Sequence, residues 1–285
     1  SDNRVDAELA ATLLALMARE GIDSAQPDRW LGAGGTPTTV EAYGGDVTLS
    51  PSQFERALAC PLRWFLTTIG ADGPSNAAAS LGTLVHALAE DNPHGTPEEL
   101  TAALEARIEE LGYNLDTWAG RHADRRAHTI VDNLASYLVG VPGQVEVERT
   151  VEAQVEGVTI RGRMDRLEHV DEGVRVTDLK TGKSGYSAKT VPDNPQLAAY
   201  QMALLAAGER VAGARIALLG GDAAKSFDQR PLEGETLEGW REKVREVAAI
   251  ARGPYFEATP SEKACLYCSF DRLCPARERG RKVVE

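Results

Sequence analysis

Two acidic residues and one lysine in the middle of the sequence have the types and spacing of a hydrolytic metal site. Asp165 lies in the segment GRMDR, and Asp178 and Lys180 lie together in the segment TDLKTGK. Both segments belong to stretches in which polar and apolar residues alternate, which predicts neighbouring β-strands. Because side chains of a strand alternate between its two faces, we expect Asp178 and Lys180 to point the same way.

These residue types indicate a particular chemistry. Carboxylate oxygens are the ligands that Mg²⁺ and Mn²⁺ prefer, and a nearby ammonium group can orient or help to deprotonate a water that attacks a phosphodiester. The pattern therefore predicts a metal-dependent nuclease. The alternative for the pair taken alone is a solvated sheet face, on which Asp and Lys often alternate.

Three further residues could belong to the same site. His86 lies in the apolar helical segment GTLVHALAE, where it is either a hydrogen-bonded core histidine or a nitrogen ligand of a metal. Gln196 and Tyr200 are four residues apart on a predicted helix and therefore share one face of it. The alternative for this second pair is a polar helix surface.

The six residues occur along the chain in the order His86, Asp165, Asp178, Lys180, Gln196 and Tyr200. This order resembles the motif set of the PD-(D/E)XK nuclease superfamily, in particular its RecB-like nuclease domains, over roughly residues 50 to 275. The resemblance implies an α/β fold with a restriction-endonuclease-like core, in which helices flank a central mixed sheet.

The resemblance also implies a role for each residue. His86, Asp165 and Asp178, together with the backbone carbonyl of Leu179, are implied to bind the Mg²⁺ or Mn²⁺ ion. Lys180 is implied to be the catalytic lysine. Gln196 and Tyr200 are implied to shape the site and to touch DNA.

The cysteines form a second pattern. Cys265, Cys268 and Cys274 have the spacing C-x2-C-x5-C, and Cys60 lies 205 residues before the first of them. Four thiolates could hold zinc or an iron-sulfur cluster, and unligated cysteines are the alternative. The pattern resembles that of iron-sulfur nucleases of the AddB and AdnAB type, which implies a 4Fe-4S cluster that staples the helical periphery of the domain.

The rest of the pattern predicts the elements that position these residues. Residues 5–19 have the spacing of an amphipathic helix and residues 32–45 are rich in glycine, so we expect a leader helix and linker over residues 1–47 and a nuclease domain over residues 48–285. Ser50, Pro51 and Gln53 predict a helix that starts with a capping box, although Pro61 could kink it. We expect three strands over 145–180, helices near 195–207 and 236–252, and a strand near 213–219.

Charge and composition exclude several classes of protein. The net charge of −12 argues against a general nucleic-acid coating protein. It leaves room for local phosphate contacts, for which the candidates are Arg121, Arg125, Arg126, Arg163, Arg166, Arg277, Arg279, Arg281 and Lys282. There is no long apolar run and no secretion signal, which predicts a cytoplasmic protein without a membrane partner. The GKS sequence that ends at Ser184 lacks the leading glycine of a nucleotide-binding loop, because Thr177 stands there.

Together these features predict a Mg²⁺- or Mn²⁺-dependent DNA exonuclease. By resemblance it is the nuclease domain of a helicase-nuclease that resects DNA double-strand breaks for recombinational repair. Its partners are then DNA, a helicase motor of the same polypeptide and a second helicase-nuclease subunit. The alternatives are a free-standing CRISPR-associated RecB-like exonuclease and a catalytically silent DNA-binding module with a zinc or iron-sulfur site.

Overall fold

A six-stranded mixed sheet with helices on both faces forms the centre of the protein, which confirms the predicted fold class. The computed structural model describes residues 2–26, 40–41, 43–72, 81–141, 143–266 and 268–277. In chain order its helices and strands are α1 (Asp2–Arg19), β1 (Val47–Leu49), α2 (Pro51–Ala59), α3 (Pro61–Thr68), α4 (Leu81–Asp91), α5 (Pro97–Arg107), α6 (Trp118–Val139), β2 (Val145–Val155), β3 (Val158–Val170), β4 (Gly173–Lys180), α7 (Pro195–Ala206), β5 (Val211–Leu218), β6 (Lys225–Gln229), α8 (Gly234–Arg252) and α9 (Glu262–Cys265).

Strand β3 is the axis of the sheet. Along one edge it pairs with β2 in antiparallel fashion over nearly its whole length. The other edge is shared, because β1 pairs in parallel with residues 158–160 and β4 pairs antiparallel with residues 166–170. The sheet therefore forks along residues 161–165. Beyond β4, the parallel strand β5 and the antiparallel strand β6 complete the order β1-β3-β4-β5-β6.

The two faces of the sheet are covered by separate cores. Helices α2, α7 and α8 cover one face with Phe54, Leu197 and Trp240, among others. Helices α4, α5 and α6 cover the other, where Leu134 packs in the same core as Leu179 of β4. Strand β5 is apolar apart from Arg215 because both of its faces are buried.

Local sequence signals agree with most of these elements. The capping box at Ser50 is confirmed, because its hydroxyl accepts the Gln53 N–H at 3.2 Å and the Gln53 side chain accepts the Ser50 N–H at 2.9 Å. Pro61 begins a new helix and does not kink the first one, since proline fits the first turn, where no N–H is needed. The leader helix, the three central strands, α7, β5 and α8 lie where the sequence predicts them. The short strands β1 and β6 were not predicted.

The leader and its boundary are described only in part. Helix α1 matches the prediction over residues 5–19, whereas residues 32–39 and 42 of the predicted linker lie outside the described residues. The division at residue 47 stays a prediction. In the part of the chain that the structure describes, every helix is too short or too polar to span a bilayer.

The fold depends on a glycine at the fork. A Cβ atom on Gly162 would lie 2.7 Å from Pro51 Cδ and 2.9 Å from Tyr200 Cε1, so α2 and α7 approach β3 more closely than a side chain allows. We expect Gly162→Ala to lower the free energy of unfolding by about 1–3 kcal/mol in urea titrations. The control is Gly239→Ala in α8, where the added Cβ meets nothing within 4 Å and better helix propensity should add about 0.5–1 kcal/mol. Equal unfolding midpoints for the two variants would contradict the packing argument.

Candidate active site

Asp165 lies at the fork of the sheet and joins two elements there. Its Oδ2 accepts the backbone N–H of Leu179 on β4 at 2.7 Å, and its Oδ1 is 3.1 Å from Nδ1 of His86 on α4. Met164 and Leu167 both pack in the core beneath α2, α7 and α8, although residues three apart in a regular strand face opposite sides. The strand alternation is therefore interrupted at Asp165, where the fork opens.

Asp178, Lys180 and Gln196 form a second group next to the first. Asp178 is only 5% exposed, and its Oδ1 accepts a hydrogen bond of 2.8 Å from the Gln196 amide. The Lys180 ammonium lies 2.7 Å from Asp178 Oδ2 and donates to Gln196 Oε1 at 3.2 Å. This confirms that Asp178 and Lys180 point the same way. The ion pair lacks hydrogen-bond geometry, so Asp178 Oδ2 is a buried oxygen without a hydrogen-bond donor among the residues described.

Burial and neighbouring charges shift the pKa values of these groups. Burial raises the pKa of Asp178 to about 6. Burial lowers the pKa of Lys180, but the Asp178 carboxylate and other neighbours raise it by more, so the lysine is an ammonium at neutral pH. The hydrogen bond with Asp165 raises the pKa of His86 against the opposing effect of burial.

Tyr200 braces the strand that carries Asp165. Its hydroxyl donates to the backbone carbonyl of Arg163 at 2.8 Å, and its ring packs against Gly162. Tyr200 and Gln196 are 6% and 7% exposed. These positions agree with a role in shaping the site and leave little surface for the DNA contacts that the resemblance implies.

A residue that the sequence reasoning missed completes the group around His86. In the described part of the chain, the set of side chains whose potential ligand atoms all lie within 4.8 Å of one another is His86, Glu148 and Asp165. Asp178 is not part of this set. Glu148 stands opposite Asp165, between the pairs Val147–Arg166 and Arg149–Met164 of β2 and β3.

The backbone of Glu148 is unusual. Its φ of 51° lies in the left-handed region, which is uncommon for a residue other than glycine and is often found at functional sites. In the sequence the residue belongs to the alternating segment VEVERT, in which Glu146 and Glu148 look alike. Nothing in that pattern distinguishes a site carboxylate from a surface carboxylate.

The basic residues divide into exposed and buried ones. Arg163 lines a cleft of about 580 Å³ together with His86, Glu148 and Asp165, and its side chain is 67% exposed. The prediction that Arg166 contacts DNA is wrong, because that side chain is fully buried, with Nε 3.7 Å from Glu168 Oε1. Arg121, Arg125, Arg126 and Arg277 are exposed, and Arg279, Arg281 and Lys282 lie outside the described residues.

The segment after α8 packs against the turn at Cys60. Leu62 N–H donates to Glu257 O at 3.0 Å, the Thr259 hydroxyl donates to Ala59 O at 3.0 Å, and the Arg63 guanidinium donates to Ala264 O at 2.7 Å. All four cysteines are half-buried free thiols. Among the residues described, no three of these sulfur atoms all lie within 4.8 Å of one another, so the structure does not support the predicted 4Fe-4S cluster.

The mixed sheet, with carboxylates and a lysine where two strands part, defines a restriction-endonuclease-like protein. The chain belongs to the PD-(D/E)XK nuclease superfamily, whose family model matches residues 48–275. This family assignment confirms the resemblance at the level of the superfamily.

Individual relatives are more distant. The chain is 26% identical to the gene 69 protein of Mycobacterium phage D29 in an alignment 263 positions long, which covers 79% of this chain and 96% of the phage protein. The solved structure of SSO0001 has a TM-score of 0.42 and 17% identity, over 82% of this chain and 89% of that one. A protein of Eubacterium rectale, named as a presumed exonuclease, has a TM-score of 0.43 and 13% identity, over 83% of this chain and 100% of that one.

The raised pKa of Asp178 makes metal binding sensitive to pH. The carboxyl must be ionised to bind a cation, so Mn²⁺ has to displace a proton below about pH 6. We expect the Mn²⁺ affinity of the protein, measured by calorimetry, to be about tenfold or more weaker at pH 5 than at pH 7. The raised pKa has the opposite effect on the stability of the metal-free protein. The contribution of Asp178 to the free energy of unfolding is greatest at low pH and is lost as the pH rises through 6.

The control for this titration is His86→Gln. His86 must also release a proton to act as a ligand, so this variant should weaken the pH dependence and leave the part that comes from Asp178. The same Mn²⁺ affinity at pH 5 and pH 7 in the wild-type protein would contradict the assignment of Asp178.

Proposed function

We propose that this chain is a Mg²⁺- or Mn²⁺-dependent deoxyribonuclease that hydrolyses phosphodiester bonds as an exonuclease. The observation that carries the proposal is the buried pair of Asp178 and Lys180 beside the linked His86 and Asp165, at the fork of a PD-(D/E)XK fold. The roles of these residues are part of the proposal.

The residues present fit a divalent cation. The site offers an imidazole nitrogen on His86 and carboxylate oxygens on Asp165 and on the buried Asp178, and these are donor types that Mg²⁺ and Mn²⁺ accept. In this proposal His86, Asp165, Asp178 and the backbone carbonyl of Leu179 hold the ion. When bound, the ion supplies Lewis-acid stabilisation of phosphate charge and lowers the pKa of a coordinated water.

The chain's own residues supply the positioning. Lys180 is held between the Asp178 carboxylate and the Gln196 amide, and as an ammonium it can donate hydrogen bonds to the attacking water or to a phosphate oxygen. Its raised pKa favours this donor role over that of a general base. The N–H of Leu179 fixes the orientation of Asp165, so β4 determines where both carboxylates lie.

Cleavage assays and Mn²⁺ titrations with two variants test the proposal. We expect Asp178→Asn to lose both Mn²⁺ affinity and cleavage of linear DNA, because it removes a charged ligand. Lys180→Gln should keep Mn²⁺ affinity within about threefold and lose at least about a hundredfold in rate. Lys225→Gln, at an exposed position on β6, is the control and should match the wild-type protein.

Two outcomes would overturn the assignment. The metal assignment fails if Asp178→Asn cleaves DNA as the wild-type protein does, and the division of roles fails if Lys180→Gln loses Mn²⁺ as badly as Asp178→Asn. Covalently closed circular DNA tests the exonuclease part, since an enzyme that needs an end leaves it intact.

The finer part of the proposal concerns biological context. We propose that the domain serves a helicase-nuclease that resects double-strand breaks, with a helicase motor and a second helicase-nuclease subunit as partners. Its support is the order of the motifs along the chain, which resembles that of the RecB-like domains. A motor on another part of the assembly would supply the unwound DNA.

We keep the iron-sulfur cluster within this proposal. Its support is that Cys60 lies in the turn to which the segment before Cys265 is hydrogen bonded. A staple between these segments would close a loop of about 200 residues, which is worth on the order of 5 kcal/mol by loop entropy.

Protein purified without oxygen decides the question of the cluster. We expect a brown protein with bound iron, and Cys60→Ser should lose the iron and melt at a lower temperature. Bound zinc without iron would replace the cluster by a zinc site. A wild-type protein free of both metals would show that the thiols are unligated.

A further inference from the structure

Arg163 and Glu148 form an ion pair at the mouth of the cleft. The Arg163 guanidinium contacts Glu148 Oε2 across the β2–β3 pair. The two partners differ in exposure, because the Arg163 side chain is 67% exposed whereas that of Glu148 is 13% exposed. The arginine can therefore leave for a ligand in the cleft, while the glutamate stays in place.

The cleft beside this ion pair is lined by more acidic than basic side chains. Three carboxylates line it, those of Glu90, Glu148 and Asp165. Arg163 is the one arginine or lysine among the described lining residues. A phosphodiester that enters meets net negative charge, and Arg163 is the group in the cleft that can form the charge-assisted, bidentate contact that phosphates favour.

Glu148 already lies within reach of the site while it is paired with Arg163. Its carboxylate is within 4.8 Å of the potential ligand atoms of both His86 and Asp165. In the ion pair with Arg163 its charge is neutralised, so it contributes little to the attraction of a second cation. Without that partner it adds a full negative charge and a hard oxygen ligand beside the two groups.

We propose that Arg163 is a phosphate-responsive latch on Glu148: a DNA phosphate that engages Arg163 frees the Glu148 carboxylate to join His86 and Asp165 as a metal ligand. This inference rests on the proposed function and adds regulation of the same site. DNA and the divalent ion then bind cooperatively, and by linkage each raises the affinity for the other by the same factor. The site holds its metal most tightly when a substrate is present.

A double-mutant cycle on Mn²⁺ affinity without DNA tests the latch. We expect Arg163→Gln to bind Mn²⁺ about fivefold or more tightly than the wild-type protein, because Glu148 is free. In the Glu148→Gln background the same Arg163→Gln change should alter the affinity by about twofold or less. An equal gain in both backgrounds would mean that the arginine acts only through its positive charge, which would overturn the latch.

A matched control lies two residues away on the same strand. Arg161 is similarly exposed and forms an equivalent cross-strand pair with Glu152 at 2.6 Å, and it does not line the cleft. Arg161→Gln should leave the Mn²⁺ affinity unchanged. A gain equal to that of Arg163→Gln would also overturn the proposal.

Cleavage-resistant phosphorothioate DNA provides the second arm. We expect this DNA to tighten Mn²⁺ binding to the wild-type protein about fivefold or more, and to leave Arg163→Gln and Glu148→Gln nearly unchanged. Equal tightening in all three proteins would contradict the latch. Because each protein is measured with the same DNA, Mn²⁺ held by the DNA itself cancels in the comparison.

Failure of the latch and failure of the proposed function give different results. If Asp178→Asn binds Mn²⁺ as the wild-type protein does, the metal-nuclease proposal fails. If Asp178→Asn loses Mn²⁺ and the Arg163 cycle shows no dependence on Glu148, only the latch fails.

Discussion

The candidate site depends on one constraint, the sharing of a single edge of β3 between β1 and β4. Where these strands part, backbone groups lose their partners in the sheet and must find others. The Asp165 carboxylate provides one by accepting the Leu179 N–H. This bond sets the distance between β3 and β4 at the point where their acidic residues face each other, and His86 then joins through the other oxygen of the same carboxylate. Backbone and side-chain hydrogen bonds together therefore place these acidic groups before any ligand binds.

The sequence predicts the parts of this arrangement that follow from periodicity and spacing. Alternation predicts the three central strands, and the short distance between Asp178 and Lys180 places them on one side. The capping box at Ser50 and the face shared by Gln196 and Tyr200 are also read directly from spacing. The exposed or buried state of a residue beside the fork does not follow from such rules. The position of Arg166 next to a predicted ligand suggested a surface residue. Because the alternation of β3 is interrupted at Asp165, the Arg166 side chain points into the interior.

Glu148 is a site residue that the sequence pattern does not reveal. Its left-handed backbone conformation is a property of the strand pair and not of the residue type, since glutamate has no preference for it. A pattern of alternating Val and Glu predicts a strand, and it gives no sign that one of the carboxylates faces a cleft. The short strands β1 and β6 escaped prediction because three to five residues carry too little periodicity, and their pairing partners are distant in the sequence.

The contacts that close the domain also determine how it can fold. Strand β1 pairs with residues more than one hundred positions later, and the turn at Cys60 is hydrogen bonded to residues nearly two hundred positions later. Contacts between such distant residues raise the contact order of a fold, and a higher contact order slows folding. During synthesis β1 stays unpaired until residues 158–160 have left the ribosome, and α2 and α3 wait longer for α7, α8 and the segment near Glu257. The apolar faces of α2 and α3 are therefore the surfaces that a chaperone would cover in the meantime.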